Sequence, residues 1–215
     1  MPTRSLVLLS GGLDSAVALF WAINRGYEVD TLTFDYFHRG QKEIQACAKI
    51  SRKVNCQNHI LQLNFLREIQ DEFSKGNLRN PKLSRVPSAY IPCRNIVFYG
   101  IAASIAESSD ARFIIGGHNK DDALTYPDSS SLFFDLFNKT ASIGRITRGR
   151  TGRVILPLAR LDKSEVVRLG SNLRVPFELT WSCYKNGKNP CDKCPACILR
   201  KEAFEKAGIE DPLLK

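Results

Sequence analysis

The most constraining feature of this sequence is a glycine loop between a strand pattern and a helical pattern near the start of the chain. The loop reads SGGLDS at residues 10–15, directly after an apolar run that ends at Leu9. Glycines let backbone N–H groups approach an anion closely, and the partial positive charge of a helix N-terminus favours the same ligand. The pattern predicts a phosphate cradle on an α/β sheet, with a serine-capped turn as the alternative.

The residue types of this loop suit a nucleotide. Hydroxyl groups of Ser10 and Ser15 can donate to phosphate oxygens. Asp14 would repel phosphate, so we assign it to Mg²⁺ or to orienting a neighbouring amide. A Walker GK[ST] ending and a dinucleotide GxGxxG pattern are both absent from the loop. The hexamer resembles the PP-loop of N-type ATP pyrophosphatases, which implies ATP binding by Leu8, Leu9, Ser10, Gly11, Gly12, Leu13, Asp14 and Ser15.

Apolar and helical patterns alternate along the chain, which predicts βαβ units with a parallel sheet and helices on both faces. Strands are expected at 5–9, 29–34, 59–65, 112–115 and 154–156. Helices are expected at 14–24, 41–54, 95–107, 130–142, 162–173 and 195–207. Residues 74–92 contain three prolines and predict a long surface loop, a type of segment that often forms a functional lid. With the PP-loop resemblance, this order predicts a Rossmann-like fold of the adenine nucleotide alpha hydrolase type.

Four cysteines near the C-terminus have the spacing of metal ligands. They follow the pattern C-x7-C-x2-C-x2-C at Cys183, Cys191, Cys194 and Cys197. Four thiolates can close a tetrahedral Zn²⁺ shell, and in an intracellular chain this spacing favours metal over disulfides. An iron–sulfur cluster and unligated thiols are the alternatives. We expect a PP-loop domain at 1–180 and, packed on it, a zinc-binding segment at 181–215.

The other three cysteines have no such spacing. Cys47 and Cys56 lie in or beside a helical pattern and are expected to be packing residues. Cys93 lies beside Arg94 in the predicted lid and is open to substrate contact. None of the three is expected to bind the metal.

Composition and charge narrow the class of protein. The 215 residues are 43% hydrophobic and 25% charged, as in ordinary globular proteins. The apolar stretch 96–106 is shorter than the roughly 20 residues that span a bilayer, and the N-terminal apolar run is too short for a signal peptide. We therefore expect a soluble, cytoplasmic protein. The net charge of +9 favours a phosphate-bearing partner, either a nucleotide or an RNA. The positive charge is most concentrated at Arg145, Arg148, Arg150 and Arg153, which form either a solvated turn or a contact with a polyanion.

Landmarks between the two ends match one family in order. They are Pro92-Cys93-Arg94-Asn95, Gly116-Gly117-His118-Asn119 with Asp121, and Tyr126-Pro127-Asp128. With SGGLDS and TWSCYKNGKNPCDKCPACILRKEAF, they resemble the QueC family of 7-cyano-7-deazaguanine synthases over nearly the whole chain. The resemblance implies ATP-dependent conversion of 7-carboxy-7-deazaguanine and ammonia to 7-cyano-7-deazaguanine (preQ0), through adenylate and amide intermediates. It also implies a homodimer, a role in queuosine or archaeosine biosynthesis, and a small molecule rather than nucleic acid as partner.

The resemblance also assigns residues to roles. The predicted catalytic residues are Asp14, Ser15, Arg94 and Asp121. The residues added to the nucleotide site are Gly117 and His118. The predicted substrate contacts are Arg94, Asn119, Tyr126 and Asp128.

For four of these residues, a second role competes with the first. Arg94 can form a bidentate fork with the substrate carboxylate, and a surface ion pair is the alternative. Asp121 or Asp128 can bind Mg²⁺ or the edge of the purine-like ring, and capping of a turn is the alternative. His118 is either a proton carrier or a hydrogen-bond donor within its loop.

Two segments depart from the family pattern where substrate is expected. The family has YGQ followed closely by a basic residue, whereas residues 36–41 read YFHRGQ here. After YPD the family continues with Cys-Arg and then Glu-Phe, whereas residues 129–133 read SSSLF. These departures keep open a paralogue that stops at the amide or couples the carboxyl group to another amine. A PP-loop tRNA thiolase and a nucleotide sensor without catalysis are further alternatives.

Overall fold

The computed structural model describes residues 2–37, 39–68, 90–147 and 150–214. The predicted lid falls mostly outside the described residues, as do His38 and Arg148. The described strands are β1 (Arg4–Leu8), β2 (Glu28–Asp35), β3 (Asn58–Gln62), β4 (Phe113–Ile115) and β5 (Arg153–Ile155). They form one sheet in the order β3-β2-β1-β4-β5, and each neighbouring pair is parallel. The predicted parallel α/β sheet is confirmed.

Helices follow the strands in the predicted alternation. They are α1 (Leu13–Asn24), α2 (Gln41–Lys53), α3 (Arg94–Ser108), α4 (Lys120–Thr125), α5 (Ser131–Gly144), α6 (Lys163–Asn172) and α7 (Pro195–Ala207). Short 3-10 helices occupy Pro127–Ser129, Phe177–Leu179 and Pro212–Leu214. Among the described residues, no helix is long and apolar enough to cross a membrane.

The central strand β1 is buried on both faces because helices cover both sides of the sheet. Val7 belongs to a core cluster that includes side chains of α1, α6 and α7. Its neighbour Leu6 points the other way, into a second cluster that includes side chains of α3 and α5. Alternation of successive side chains along a strand produces these two layers. The result is the predicted three-layer fold with helices on both faces.

Local hydrogen bonds explain where the elements differ from the sequence prediction. Strand β3 ends at Gln62, earlier than predicted, because the chain turns where the Leu66 N–H donates to the Leu63 carbonyl at 3.2 Å. Helix α6 begins after Asp162, whose side chain accepts from the Glu165 N–H at 2.9 Å and acts as the N-cap. Helix α4 was not predicted, since its six residues are too short for a periodic pattern.

The arginine-rich turn is partly structural. Arg145 is buried, and its guanidinium donates to the carbonyls of Thr151 at 2.5 Å and Gly152 at 2.8 Å. It thereby fixes the entry into β5. The expectation that Arg145 belongs to a solvated or polyanion-binding cluster is wrong, whereas Arg150 and Arg153 are exposed.

The strand order places a crevice at the carboxyl end of β1. After β1 the chain builds β2 and β3 on one side, and then returns to add β4 and β5 on the other side. In open α/β sheets, ligands bind where the strand order reverses in this way. Ser10 follows β1 and Gly116 follows β4, so the glycine loop and the glycine turn meet at the reversal point.

Candidate active site

The glycine loop is held open by its own hydrogen bonds. The Ser15 hydroxyl oxygen accepts from the Ser10 N–H at 3.1 Å and from the Ser10 hydroxyl at 3.0 Å, and it donates to the Gly12 carbonyl at 3.0 Å. Gly11 has a φ of +78°, and a Cβ atom there would lie 2.3 Å from the Glu43 carbonyl oxygen. Only glycine fits this conformation and approach. The loop therefore has the shape of a preformed anion cradle.

The turn after β4 forms the opposite wall of this cradle. A Cβ atom on Gly117 would lie 2.8 Å from the Ser15 backbone nitrogen, so the turn touches the start of α1. His118 follows in the same turn, and both residues line the same cavity as Ser10 and Ser15. The structure thus brings the predicted nucleotide residues of the two loops together.

An ion pair lies beside the cradle. The Lys163 ammonium group contacts one carboxylate oxygen of Asp14, and the Asn119 amide donates to the other at 3.2 Å. Burial lowers the pKa of Lys163, but the carboxylates of Asp14, Asp122 and Asp121 offset it, and the pKa ends above its ordinary value. Lys163 is therefore a permanent cation at the phosphate loop.

Asp122, rather than Asp121, lines the cavity. Burial and the neighbouring charge of Asp14 raise the pKa of Asp122, although Lys163 and the Asn119 N–H lower it. Asp121 is exposed, and its carboxylate accepts from the Lys163 backbone N–H at 3.1 Å. Carboxylate oxygens are the ligands that Mg²⁺ prefers, so Asp14 and Asp122 are the acidic groups suited to hold it here.

An arginine and two aromatic rings also line the cavity. Arg94 donates to the Tyr36 hydroxyl at 3.0 Å, and its guanidinium carbon lies 5.5 Å from the centre of the Phe98 ring. Within the described part of the chain, Arg94 forms no ion pair with a carboxylate. A surface ion pair, the alternative from the sequence, is therefore not seen. Among the described residues no carboxylate neutralises this charge, which suits it to pair with an anionic ligand.

One cavity of about 240 Å³ is lined by all of these groups. Ser10, Asp14 and Ser15 of the phosphate loop line it together with Arg94 and Tyr126. A site that contains a phosphate cradle and a separate cation without an ion pair among the described residues can hold two anionic groups at once. The geometry suits transfer between a nucleotide and an anionic second substrate.

Two predicted substrate contacts serve the local fold. The Asn119 side chain is buried and caps α4 by accepting from the N–H groups of Asp121 at 2.8 Å and Asp122 at 3.0 Å. The Asp128 carboxylate accepts from the Asn95 N–H at 3.1 Å, at the start of α3. Neither residue lines the cavity. These contacts match the capping alternative for Asp128, and its role towards a ligand stays a prediction.

His118 is a neutral side chain near pH 7. Burial and the nearby charge of Arg94 lower its pKa to about 4, against the opposing effect of Asp14. Its ring packs 5.8 Å from the Tyr99 ring and 5.3 Å from the Phe134 ring, measured between centres. A neutral imidazole in this position can accept or donate one hydrogen bond but carries no charge to the nucleotide.

Two basic residues of the site, Lys163 and Arg39, were not predicted from the sequence. Arg39 donates to the Ser10 carbonyl at 2.5 Å and lines the cavity, so the altered segment after β2 still delivers a basic residue to the site. For Lys163, a signal was available in the sequence. A lysine directly after the N-cap Asp162 opposes the helix dipole, which indicates a nearby anionic partner.

The four C-terminal cysteines converge as predicted. Their sulfur atoms all lie within 4.8 Å of one another, and Cys194 and Cys197 are 3.5 Å apart. Zinc–sulfur bonds of about 2.3 Å place the sulfurs of a tetrahedral site roughly 3.8 Å apart. Backbone N–H groups of Lys193 and Cys194 lower the pKa of Cys191 to about 6, which favours the thiolate that a metal requires. The cluster fits a four-coordinate metal.

The remaining cysteines lie elsewhere. Cys47 is buried against the Leu9 carbonyl, with 3.3 Å between sulfur and oxygen, and burial raises the pKa of its thiol. Its predicted packing role is confirmed. Cys56 is half-buried, and Cys93 is exposed at the start of α3.

A hydrogen bond connects the segment of the four-cysteine cluster to the phosphate loop. The backbone N–H of Trp181, two residues before the first cysteine of the cluster, donates to the Gly11 carbonyl at 2.8 Å. Arg200 in α7 donates to the Thr180 hydroxyl at 2.7 Å and pairs with Asp211 at 2.6 Å. The C-terminal segment therefore packs directly against the nucleotide site.

Comparison with solved structures supports the fold. A 4-thiouridine synthetase in complex with RNA and bound ATP aligns with 94% of this chain and 53% of that one, with a TM-score of 0.59 and 23% identity. An NMN synthetase from Francisella tularensis covers 97% of this chain and 78% of that one, with a TM-score of 0.51 and 19% identity. Identities this low show a shared fold alone.

Comparison of sequences identifies the family. The model of the queuosine biosynthesis protein QueC matches residues 4–208. A 7-cyano-7-deazaguanine synthase of Thermoplasma volcanium is 38% identical over 220 residues, which cover 99% of this chain and 91% of the relative. One from Leptospira interrogans is 38% identical over 216 residues, covering 97% and 89%. The phosphate loop, the glycine turn and the cysteine cluster thus occur in a chain that belongs to the QueC family.

Proposed function

We propose that this chain is an ATP-dependent, AMP-forming carbon–nitrogen ligase that converts 7-carboxy-7-deazaguanine and ammonia to 7-cyano-7-deazaguanine. One observation carries the proposal: a single cavity is lined both by the phosphate loop and by Arg94, whose guanidinium forms no ion pair with a carboxylate of the described residues. The reaction needs both, since the carboxylate must meet the α-phosphate of ATP. The names of the QueC relatives supply the product, and the carboxylate substrate is the one that the family resemblance implies.

In the first half of the reaction, a carboxylate oxygen attacks the α-phosphorus of ATP and pyrophosphate leaves. Ser10, Ser15 and the amides of the loop would hold the phosphates, and Lys163 would pair with the charge that develops on them. Arg94 would orient the carboxylate as a fork. Ammonia then attacks the acyl carbon, and AMP leaves with the carboxylate oxygen to give the amide.

In the second half, the amide oxygen attacks the α-phosphorus of a second ATP molecule and pyrophosphate again leaves. Loss of two N–H protons and departure of AMP with the oxygen leave a carbon–nitrogen triple bond. The neutral His118 lies in the same cavity and can accept a hydrogen bond from one of these N–H groups, and the protons pass to solvent. Each nitrile therefore consumes two ATP molecules at the same cradle.

The proposed enzyme would use two metal ions, Mg²⁺ and Zn²⁺. Mg²⁺ held by Asp14 and Asp122 would neutralise the charge of the departing pyrophosphate. Zn²⁺ at the four cysteines would be structural, because a site with four protein ligands has no open position. It would fix the segment 181–215 to the PP-loop domain at 1–180, next to the Gly11 carbonyl.

The test is mass spectrometry of the products formed from purified protein, ATP, Mg²⁺, ammonium and 7-carboxy-7-deazaguanine. The proposal predicts nitrile and AMP. Amide as the only product would favour the paralogue that stops after the first half. ATP binding with no AMP release would favour a nucleotide sensor and contradict the proposed activity.

A further inference from the structure

The side chain of Asn95 lines the active-site cavity and has one polar atom to which no described residue donates. Asn95 is 4% exposed and lies in the first turn of α3. Its amide nitrogen donates to the Asp128 carbonyl at 2.9 Å and to the Ser129 hydroxyl oxygen at 3.2 Å. Its Oδ1 atom accepts no hydrogen bond from the described part of the chain. A buried amide oxygen in this state costs free energy unless a ligand or water supplies a donor.

The orientation of this amide is fixed. A backbone carbonyl can only accept, so the atom that faces the Asp128 carbonyl must be the nitrogen of the amide rather than its oxygen. The Asn95 backbone N–H also donates to the Asp128 carboxylate at 3.1 Å, which holds the start of α3 against the 3-10 turn at Pro127–Ser129. Oδ1 is therefore a preformed acceptor.

Ser129 supplies a donor beside this acceptor. It is 5% exposed and lines the same cavity. Its hydroxyl oxygen accepts from Asn95, and the hydroxyl donates to none of the described residues, so its hydrogen is available to a ligand. The two available groups are neighbours, because the same amide nitrogen of Asn95 lies between them. Ser129 belongs to the segment that departs from the family pattern, where cysteine follows YPD, and a thiol is a weaker donor than a hydroxyl.

An acceptor beside a donor complements the N–H and C=O groups of a cyclic amide. In 7-carboxy-7-deazaguanine, the carboxylate, the ring carbonyl and the ring N–H follow one another along one edge of the ring system. Arg94 offers a cation to the first of these groups, Ser129 a donor to the second, and Asn95 an acceptor to the third. The adenine ring of ATP can also meet a donor and an acceptor, but it has no anionic group on that edge to match Arg94.

We propose that Asn95 and Ser129 determine the specificity for the substrate ring. Asn95 Oδ1 accepts from the ring N–H, and the Ser129 hydroxyl donates to the ring carbonyl. The assignment rests on the substrate proposed above and gives neither residue a step in the reaction. A site with buried polar groups strongly rejects an analogue that leaves those groups unpaired.

Calorimetric binding of two ligands tests this assignment. One ligand is 7-carboxy-7-deazaguanine, and the other is its 6-deoxo analogue, in which C–H replaces the ring carbonyl and a bare nitrogen replaces the N–H. α,β-Methylene-ATP is present, so that no pyrophosphate leaves. The wild type should bind the carbonyl ligand at least about 100-fold more tightly than the analogue. Ser129→Ala should weaken binding of the carbonyl ligand about tenfold and that of the analogue by less than about twofold.

The ratio of the two dissociation constants separates recognition from folding, because a structural defect weakens both ligands alike. Ser130→Ala is the matched control, since Ser130 caps α5 by accepting from the Phe133 N–H at 3.2 Å and does not line the cavity. This variant should keep the wild-type ratio. Asn95→Ala should lower the ratio as Ser129→Ala does, with thermal unfolding to check that it folds.

An unchanged ratio in both Ser129→Ala and Asn95→Ala would overturn the assignment, as would a wild type that binds the two ligands equally or binds neither. Release of AMP from ATP is measured separately. Turnover of the carboxylate substrate with unchanged ratios would remove the assignment and leave the proposed function intact. The expected ratios without any turnover would support the assignment and contradict the proposed function.

Discussion

Asp14 and Lys163 form an ion pair between the first turn of α1 and the first residue of α6, across 149 positions of sequence. Asn119 donates to the same carboxylate from the turn after β4. Three elements are thus fixed at one side of the phosphate loop. A phosphate bound at this loop would compete with Asp14 for the Lys163 ammonium group, and a cation bound to Asp14 would release it.

Replacing this lysine should impair adenylation. Lys163→Met removes the cation next to the cradle, and we expect kcat/KM for ATP to fall about 100-fold or more. The measurement is the rate of pyrophosphate release, with circular dichroism to check the fold. Lys201→Met, at an exposed lysine of α7, is the control. A Lys163→Met rate within threefold of wild type would exclude a role of Lys163 towards the phosphates.

Replacing Arg94 should affect the second substrate more than ATP. Arg94→Lys keeps the charge but loses the fork and the contact with Tyr36, so we expect KM for the carboxylate substrate to rise about tenfold. KM for ATP should change little. Arg25→Lys is a matched control, since Arg25 also lies over an aromatic ring, 5.0 Å from the centre of Trp21, but outside the cavity. An equal rise in both KM values would indicate a structural role.

His118 should make stability depend on pH. The pKa of His118 is about 4 in the folded protein and 6.5 in the reference state. Between these values the unfolded chain binds a proton at this residue, whereas the native imidazole stays neutral. The free energy of unfolding that the neutral imidazole contributes is fully present above pH 6.5 and is lost as the pH falls towards 4. Between pH 7 and pH 5 it amounts to about 2 kcal/mol at most.

The variant His118→Phe keeps a ring against Tyr99 and Phe134 and lacks the proton site. Urea unfolding at pH 7 and pH 5 should show a smaller loss of stability for this variant than for wild type. His59→Phe, at an exposed histidine, controls for the substitution itself. Equal losses for His118→Phe and wild type would mean that burial does not hold His118 neutral.

Removing one cysteine of the cluster should release the metal. Cys194→Ser leaves three thiolates, and we expect metal content to fall well below one ion per chain and the unfolding temperature to drop. Elemental analysis and thermal unfolding measure both. Cys93→Ser, exposed and outside the cluster, should behave like wild type. If Cys194→Ser kept a full equivalent of metal at unchanged stability, the cluster would not be the metal site.

The sequence predicted the parts of the molecule that local pattern determines. Two glycines after an apolar run predicted the phosphate loop, and cysteine spacing predicted the cluster. Helix α7 has the predicted bounds because Pro195 begins it and Gly208, with a φ of 69°, ends it.

Contacts set by the topology were not readable from the sequence. Lys163 follows β5 and Asp14 follows β1, and the two meet because β4 lies between these strands in the sheet and pairs with both. Arg39 contacts the Ser10 carbonyl, and Arg145 donates to two buried carbonyls. Both residues lie in loops, whose conformation no periodic sequence pattern indicates. Asn119 caps a helix too short to be recognised from the sequence, and its predicted contact with substrate stays a prediction.

Transfer of ¹⁸O from the carboxylate to AMP tests whether one phosphate cradle activates the same carbon twice. Substrate with ¹⁸O in both carboxylate oxygens is incubated with ATP, Mg²⁺ and ammonium, and the AMP is analysed by mass spectrometry. If the substrate is adenylated at both steps, both AMP molecules formed per nitrile carry one ¹⁸O atom. Unlabelled AMP would contradict adenylation of the substrate, and one labelled AMP per amide would limit the chain to the first half of the reaction.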